Sequence, residues 1–182
     1  MNAANLITLS RISLIPVVVG FYYSGMEWGH FWATVIFIIA SVSDWLDGYI
    51  ARKLNQTSEF GAFIDPVADK LLVAVILIML VTNHASLLPA TSIIIAREIL
   101  VSALREWMAQ QGKRATVAVA FSGKLKTTVQ MVAIGALLLV TDSTPAILWQ
   151  FGFLLVNIAA LLSLYSMFHY YKKAWAVLFP AE

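Results

Sequence analysis

Cysteine is absent from this chain. That excludes a disulfide framework, thiolate metal sites and a cysteine nucleophile, and it says little about compartment. Charge is scarce as well. Asp, Glu, Lys and Arg make up 12% of the 182 residues, about half of what a soluble domain carries. What fills the space is apolar: 60% of residues are hydrophobic and the mean hydropathy is +0.82. The class this implies is an integral membrane protein with room for one domain, spanning 1–182. A formal net charge of +2 is too small to point to nucleic acid as a partner. Internal repeats and low-complexity linkers are also missing. The first ten residues contain no Lys or Arg, and Arg11 interrupts the apolar run that follows. The amino terminus is therefore expected to be retained and not cleaved as a signal.

An apolar helix needs ~20 residues at 1.5 Å rise to cover about 30 Å of hydrocarbon. Six segments qualify, at about 5–25, 31–53, 58–82, 88–111, 118–141 and 146–171. The breaks between them are polar or rich in turn formers, as in Ser24-Gly25, Asn55-Gln56-Thr57 and Thr141-Asp142-Ser143-Thr144-Pro145. The expected fold is all-α, a bundle of six transmembrane helices with an amphipathic start at the amino terminus. Asn5, Thr8 and Arg11, three residues apart, line one side of the first helix; an interfacial start with a snorkelling Arg11 accounts for them. Pro16 is placed to bend this helix. Trp28, Trp32, Trp107, Trp149, Tyr170 and Tyr171 lie near segment ends and read as interfacial anchors. His30, His84 and His169 read as ordinary residues, and the apolar sixth segment as scaffold or a dimer surface.

Basic residues set the orientation. Of twelve Lys and Arg, none falls in the connections at 24–30, 83–89 and 141–146. All lie in or nearer to the other side, which the positive-inside rule assigns to the cytoplasm. Both termini are then cytoplasmic.

Acidic residues are concentrated in one stretch. Asp44, Asp47, Asp65 and Asp69 are four of only ten in the chain. Their flanks, 31–40 and 71–82, are almost wholly apolar, and a lone Asp at mid-membrane costs roughly 2.5–3.5 kcal/mol. Asp44 and Asp47 are i, i+3 near the end of the second helix; Asp65 and Asp69 are i, i+4 near the start of the third. Each pair shares a helical face, and the short cytoplasmic connection brings the helix ends together. Four close carboxylates would repel or take up protons, whereas hard oxygen donors suit Mg²⁺, Mn²⁺ or Ca²⁺. Gly48 and Gly61 would let a bulky ligand approach the backbone, and Arg52 offers a planar fork for phosphate. Taken singly, each acid also fits a solvated helix end, each glycine a packing contact and Arg52 an inside anchor. A divalent-cation transporter is a further reading, although it needs polar residues continuing to the far side. Pro66 leaves the third helix with two possible starts: Asp65 as N-cap with Pro66 at N1, or a cap at Thr57 or Ser58 with Pro66 inside.

The full pattern, Asp44-x-x-Asp47-Gly48-x-x-Ala51-Arg52-x8-Gly61-x3-Asp65-x3-Asp69, resembles the signature of the CDP-alcohol phosphotransferase family, with every defining position present. Asn5-x-x-Thr8-x-x-Arg11, Ile95-Ala96-Arg97-Glu98, Ser102 to Trp107 and Gly123 to Gln130 are similar to a bacterial branch of that family whose acceptor is sn-glycerol 3-phosphate. The resemblance implies a dimeric six-helix enzyme of the bacterial inner membrane that moves a phosphatidyl group from CDP-diacylglycerol to an acceptor hydroxyl and releases CMP. It implies Asp44, Asp47, Asp65 and Asp69 as ligands of Mg²⁺ or Mn²⁺, with Asp69 also the general base. Gly48, Ala51, Arg52 and Gly61 would line the CDP pocket, with Asn5 and Thr8 close to it.

The acceptor is read from a second basic set. Arg97 and Arg105 lie eight residues apart, about two turns, on the fourth helix, and Lys124 and Lys126 open the fifth. Cations on a membrane helix face the bundle or a cavity and need a partner. Within the resemblance they form an anion pocket for the phosphate of sn-glycerol 3-phosphate; ion pairing to Glu98 and Glu106 is the structural alternative. Serine or inositol phosphate would be the acceptor in a sister enzyme, and charge alone does not separate inositol phosphate from glycerol 3-phosphate. The orientation is testable with a reporter fused to the carboxyl terminus. It is expected to be shielded in intact cells and reached only after the membrane is opened; labelling from outside would reverse the topology.

Overall fold

Helices end where polar breaks interrupt the apolar runs. The computed structural model describes residues 3–54, 59–113 and 121–179, and of these the side chains of 3–8, 44–54, 59–63, 65, 66, 69 and 121–124 stand outside the description. Among the described residues the chain forms six long helices and no strand: α1 (Ala3–Tyr23), α2 (Gly29–Leu54), α3 (Glu59–Asn83), α4 (Leu88–Gln110), α5 (Phe121–Leu138) and α6 (Ala146–Leu178), with a short 3-10 turn, Ala85–Leu87, leading into α4. These follow the six expected segments closely. The exception is α6, which runs on to Leu178 instead of stopping near 171. Lys172 and Lys173 are good helix formers, and the Ala-Trp-Ala-Val-Leu that follows carries no breaker.

Local chemistry sets the boundaries. Pro89 occupies the first turn of α4, where its missing N–H is no loss. At the other end Gly112 adopts φ +69, its N–H donates to the Ala109 carbonyl and the Lys113 N–H to the Met108 carbonyl. This paired closure needs a left-handed residue, and glycine takes that conformation without steric cost. The start of α3 at Glu59 places Pro66 inside the helix, so of the two possible starts the structure shows the earlier one. Pro16 likewise lies inside α1.

The helices pack as α1 on α2 and α3, α5 on α6 and α2, and α4 on α6. One core threads Ile15, Val18, Phe37, Leu72, Ile76, Leu77, Leu80, Ile134, Leu137 and Val156. A second, smaller one joins Val101, Leu104 and Met108 of α4 to Tyr170 and Ala174 of α6. The buried side of α4 reads Ala90, Ile94, Arg97, Val101, Leu104, Met108, alternating steps of three and four that keep one face inward. Arg97 therefore sits in the middle of an apolar stripe. The facing stripe of α6 is Gly152, Val156, Ala159, Ala160, Ser163, Ser166, Tyr170 and Ala174, rich in the small residues that let helices approach closely.

The ends away from the acidic stretch are joined by polar contacts. Asn83 Nδ2 donates to Tyr22 Oη at 3.0 Å, Tyr23 Oη and Thr82 Oγ1 are 2.8 Å apart, and His30 Nδ1 lies 3.0 Å from the Leu138 carbonyl. His84 stacks on Trp149 at 4.3 Å. These contacts bring the ends of α1, α3 and α5 to the starts of α2 and α6, and they give His30 and His84 structural partners.

Two helices, Ala85–Gln110 and Ala146–Leu178, are long and apolar enough to cross a membrane, and four shorter apolar stretches accompany them. Two sequence expectations change. Arg11 is only 2% exposed, so it is packed among helices and does not snorkel. Tyr170, expected as an interfacial anchor, is buried at 3% exposure because α4 supplies a cation for its ring, whereas Trp28 and Trp32 are exposed as anchors should be.

A Cβ on Gly152 would stand 2.8 Å from the Leu137 Cγ, and Leu137 has no exposed surface into which to retreat. Gly152→Val is therefore expected to force α5 from α6 at a cost of about 1–3 kcal/mol. The measurement is the thermal unfolding midpoint in detergent, and an unchanged midpoint would show that the two helices repack freely.

Candidate functional site

A cavity of about 340 Å³ opens between α3, α4 and α5, lined by Lys70, Val73, Arg97, Glu98, Val101, Ser102, Arg105, Lys126, Thr127, Gln130 and Met131. Among the described lining residues, Lys70, Arg97, Arg105 and Lys126 stand with one carboxylate, Glu98, around a space large enough for a small ligand. Cations in a segment this apolar need counter-charges, from the protein or from a bound anion.

The single carboxylate is shared. Glu98 Oε1 accepts from Arg97 Nη1 at 3.1 Å and is also paired with Lys126 Nζ. Arg97 is held further by α6: its Nε and Nη2 donate to Ser166 Oγ at 3.2 and 2.8 Å, and its guanidinium lies 5.9 Å from the centre of the Tyr170 ring. Ser166 Oγ in turn donates to the Ser163 carbonyl. Arg97 and Lys126 are both buried, at 7% and 3% exposure. The Arg97 guanidinium is thus fixed from two sides, with its charge directed at the cavity wall. Arg105, one helical stripe away, is exposed. Among the described residues no ion pair joins Arg105 to Glu106 or to any other acid.

Of the expected acceptor set, Arg97, Arg105 and Lys126 come together in this one cavity. The ion-pair alternative holds for Arg97 with Glu98, and it does not hold for Arg105 with Glu106. Lys124 lies on α5 with its side chain outside the described residues. The same is true of Asn5, Thr8, Asp44, Asp47, Gly48, Ala51, Arg52, Gly61, Asp65 and Asp69. Their backbones are continuous helix in α1, α2 and α3, so the i, i+3 and i, i+4 spacings of the acids fall on unbroken helices. Leu54 and Glu59, the facing helix ends, are five residue steps apart and so at most about 18 Å from each other. A donor set of four carboxylates on two helices tied this closely fits a hard divalent cation such as Mg²⁺ or Mn²⁺.

Sequence reasoning gave no site role to Lys70, Ser166 or Tyr170, and met Gln130 only as the last residue of the Gly123 to Gln130 match. Lys70 had a signal, since it adjoins Asp69. Ser166 and Tyr170 had none, because only the packing of α6 on α4 brings them to Arg97. The sixth helix is accordingly more than scaffold.

A second space of about 400 Å³ lies beside the first, lined by Val67, Leu71, Ala74, Ile94, Ile95 and Ile99 and sharing Lys70, Val73, Glu98 and Ser102 with it. A polar cavity and an apolar cleft therefore meet between α3 and α4.

Comparison with known proteins bears directly on this geometry. The sequence model of the family described as CDP-alcohol phosphatidyltransferase matches residues 1–165. The chain is 48% identical over 179 residues to the CDP-diacylglycerol--glycerol-3-phosphate 3-phosphatidyltransferase of Escherichia coli (strain K12), covering 96% of each chain. It has the same identity and coverage to the proteins of that name from Escherichia coli O157:H7 and Shigella flexneri serotype 5b (strain 8401).

Glu98→Gln would leave Arg97 and Lys126 without their shared counter-charge. The expected cost is about 2 kcal/mol, read as a lower thermal midpoint. Saturating inorganic phosphate should raise that midpoint more in the variant than in the parent, since the anion now supplies the missing charge. Equal shifts in both proteins would separate phosphate binding from this cavity.

Proposed function

Because this chain belongs to the CDP-alcohol phosphatidyltransferase family, we propose that it transfers the phosphatidyl group of CDP-diacylglycerol to sn-glycerol 3-phosphate and releases CMP. The observation that carries the acceptor is the cavity in which Arg97, Arg105 and Lys126 meet Glu98, the one carboxylate among its described lining residues. A phosphomonoester supplies negative charge, and an exposed guanidinium such as Arg105 can bind it through two parallel hydrogen bonds. A neutral acceptor supplies none. Lys124, at the start of α5, joins this set in the proposal.

The chemistry assigned to the acidic stretch is an in-line displacement at phosphorus. Asp69 accepts the proton of the acceptor hydroxyl. The oxygen so freed forms a bond to the phosphorus that carries diacylglycerol, and the bond from that phosphorus to the CMP oxygen breaks, its electron pair leaving with CMP. Asp44, Asp47, Asp65 and Asp69 would hold Mg²⁺ or Mn²⁺, which supplies neutralising charge to the diphosphate and to departing CMP. Gly48 and Gly61 leave room for the nucleotide beside the helix backbone, Arg52 adds a cation for its phosphates, and Ala51, Asn5 and Thr8 complete the pocket. Lys70 follows Asp69 directly, which sets the cationic cavity beside the proposed base. Holding the acceptor there turns the attack into an oriented, effectively unimolecular step.

In this reading all six helices of a single domain cross the bacterial inner membrane, both termini and the reacting groups are on the cytoplasmic side, and two copies associate. The apolar cleft beside the cavity suits the acyl chains' environment, and the polar cavity suits a water-soluble acceptor. A cation transporter would need polar groups continuing through the bundle, yet Ile76, Leu77, Leu80, Ile134 and Leu137 are buried beyond the cavity.

Purified protein given CDP-diacylglycerol and a panel of acceptors should release CMP with glycerol 3-phosphate and far less with serine or inositol phosphate, and only with a divalent metal present. Equal release across the panel would withdraw the acceptor assignment. Arg105→Ala is expected to raise the KM for glycerol 3-phosphate by about tenfold or more, with little change in that for CDP-diacylglycerol. Asp69→Asn should abolish turnover while CDP-diacylglycerol still binds, and retained turnover would remove Asp69 from the role of base.

A further inference from the structure

Gln130 is the one buried polar group in the cavity wall whose chemistry the charge argument does not use. It lies on α5 one turn beyond Lys126, shares its face, and is 3% exposed. Its side-chain oxygen has no hydrogen-bond partner among the described residues. An amide oxygen buried without a partner costs about 1–3 kcal/mol, so a persistent one points to a partner that comes and goes. The position is specific. The cations of the cavity are Lys70, Arg97, Arg105 and Lys126, and Gln130 sits ~6 Å deeper along α5 than Lys126, just before the apolar Ala133 and Ile134.

Resting on the acceptor reading above, we propose that Gln130 is a specificity-determining residue that hydrogen-bonds the hydroxyl of the acceptor that does not react. The cations read the phosphate at one end of the molecule, the base takes the proton from the attacking hydroxyl, and the Gln130 amide reads the secondary hydroxyl between them. A hydroxyl both donates and accepts, so the contact forms whichever end of the amide is turned toward it. The amide is uncharged and leaves the cation balance untouched. Its contribution is therefore to distinguish a phosphorylated polyol from a phosphorylated simple alcohol, a distinction that electrostatics cannot make. A site built to pair a hydroxyl discriminates against the analogue lacking it, because its own polar group is then left unpaired.

The test is a cycle between enzyme and acceptor. The wild-type protein, Gln130→Leu and Gln130→Met are each assayed for CMP release with sn-glycerol 3-phosphate and with 3-hydroxypropyl phosphate, which lacks only the secondary hydroxyl. The readout is the ratio of the two kcat/KM values within one preparation, so a loss of folded fraction cancels. Loss of the hydroxyl should cost the wild type about tenfold and the apolar variants less than about twofold, with the KM for CDP-diacylglycerol unchanged. The same penalty in wild type and variants would overturn the assignment, as would a wild type indifferent to the hydroxyl. That second comparison needs no variant, so the inference stays testable even where the substitutions fail to fold. Absence of any CMP release by the wild type with glycerol 3-phosphate is a separate outcome, which would remove the acceptor reading and this inference with it.

Discussion

One carboxylate organises the candidate site. Glu98 pairs with Arg97 beside it on α4 and with Lys126 on α5, and Arg97 is fastened to Ser166 and Tyr170 of α6. Three helices therefore meet at one negative charge. In an apolar bundle two buried cations without it would repel each other and lack solvation. With it, both are held, and among the described residues no acid is paired with Arg105 on the same cavity. A fully paired set would be more stable and would have no use for an anion. A cation left without an acid is a stability cost located where a ligand can offset it.

Much of this could be read from the residues, and the reasons differ from place to place. The helices were legible because long apolar runs separated by Gly, Pro, Asn and Asp have few other solutions in lipid. The acid pattern carries geometry in its i, i+3 and i, i+4 spacings without any tertiary information, and the side chains of its four Asp lie outside the described residues. Arg97, Arg105 and Lys126 were identifiable as cations in need of a partner. Which partner each takes was not: Glu98 and Glu106 follow Arg97 and Arg105 in the same way, yet only Glu98 turns to its neighbour, because Lys126 arrives from α5 on that side. Arg11 and Tyr170 were misread for a related cause. Both residue types sit at interfaces or in the bundle with equal ease, and only the neighbouring helix decides.

The two spaces between α3 and α4 differ in chemistry and share a wall. Val67, Leu71, Ile94, Ile95 and Ile99 line one, charged and amide groups the other, and Lys70 and Glu98 border both. A reaction joining a lipid to a water-soluble phosphate has to solve a phase problem before it meets a chemical one. Here a single layer of side chains separates a polar space from an apolar one, and Asp65 and Asp69 of α3 lie at the same end of that helix.

The hydrogen bonds at the far end have a mechanical consequence. Tyr22, Tyr23, His30, Thr82 and Asn83 tie α1, α2, α3 and α5 together where no cation is found. At the opposite end, Leu54 of α2 and Glu59 of α3 are five residue steps apart in the chain. A helix held at one end acts as a lever for any tilt at that end. A helix of 20 residues is about 30 Å long, so a tilt of about 2° at the pin moves its free end by about 1 Å. That displacement is of the order by which a nucleophile and its target must be adjusted. The contacts at the outer cap thus set the helix angles, and small changes of those angles are enlarged into positional changes at the other end.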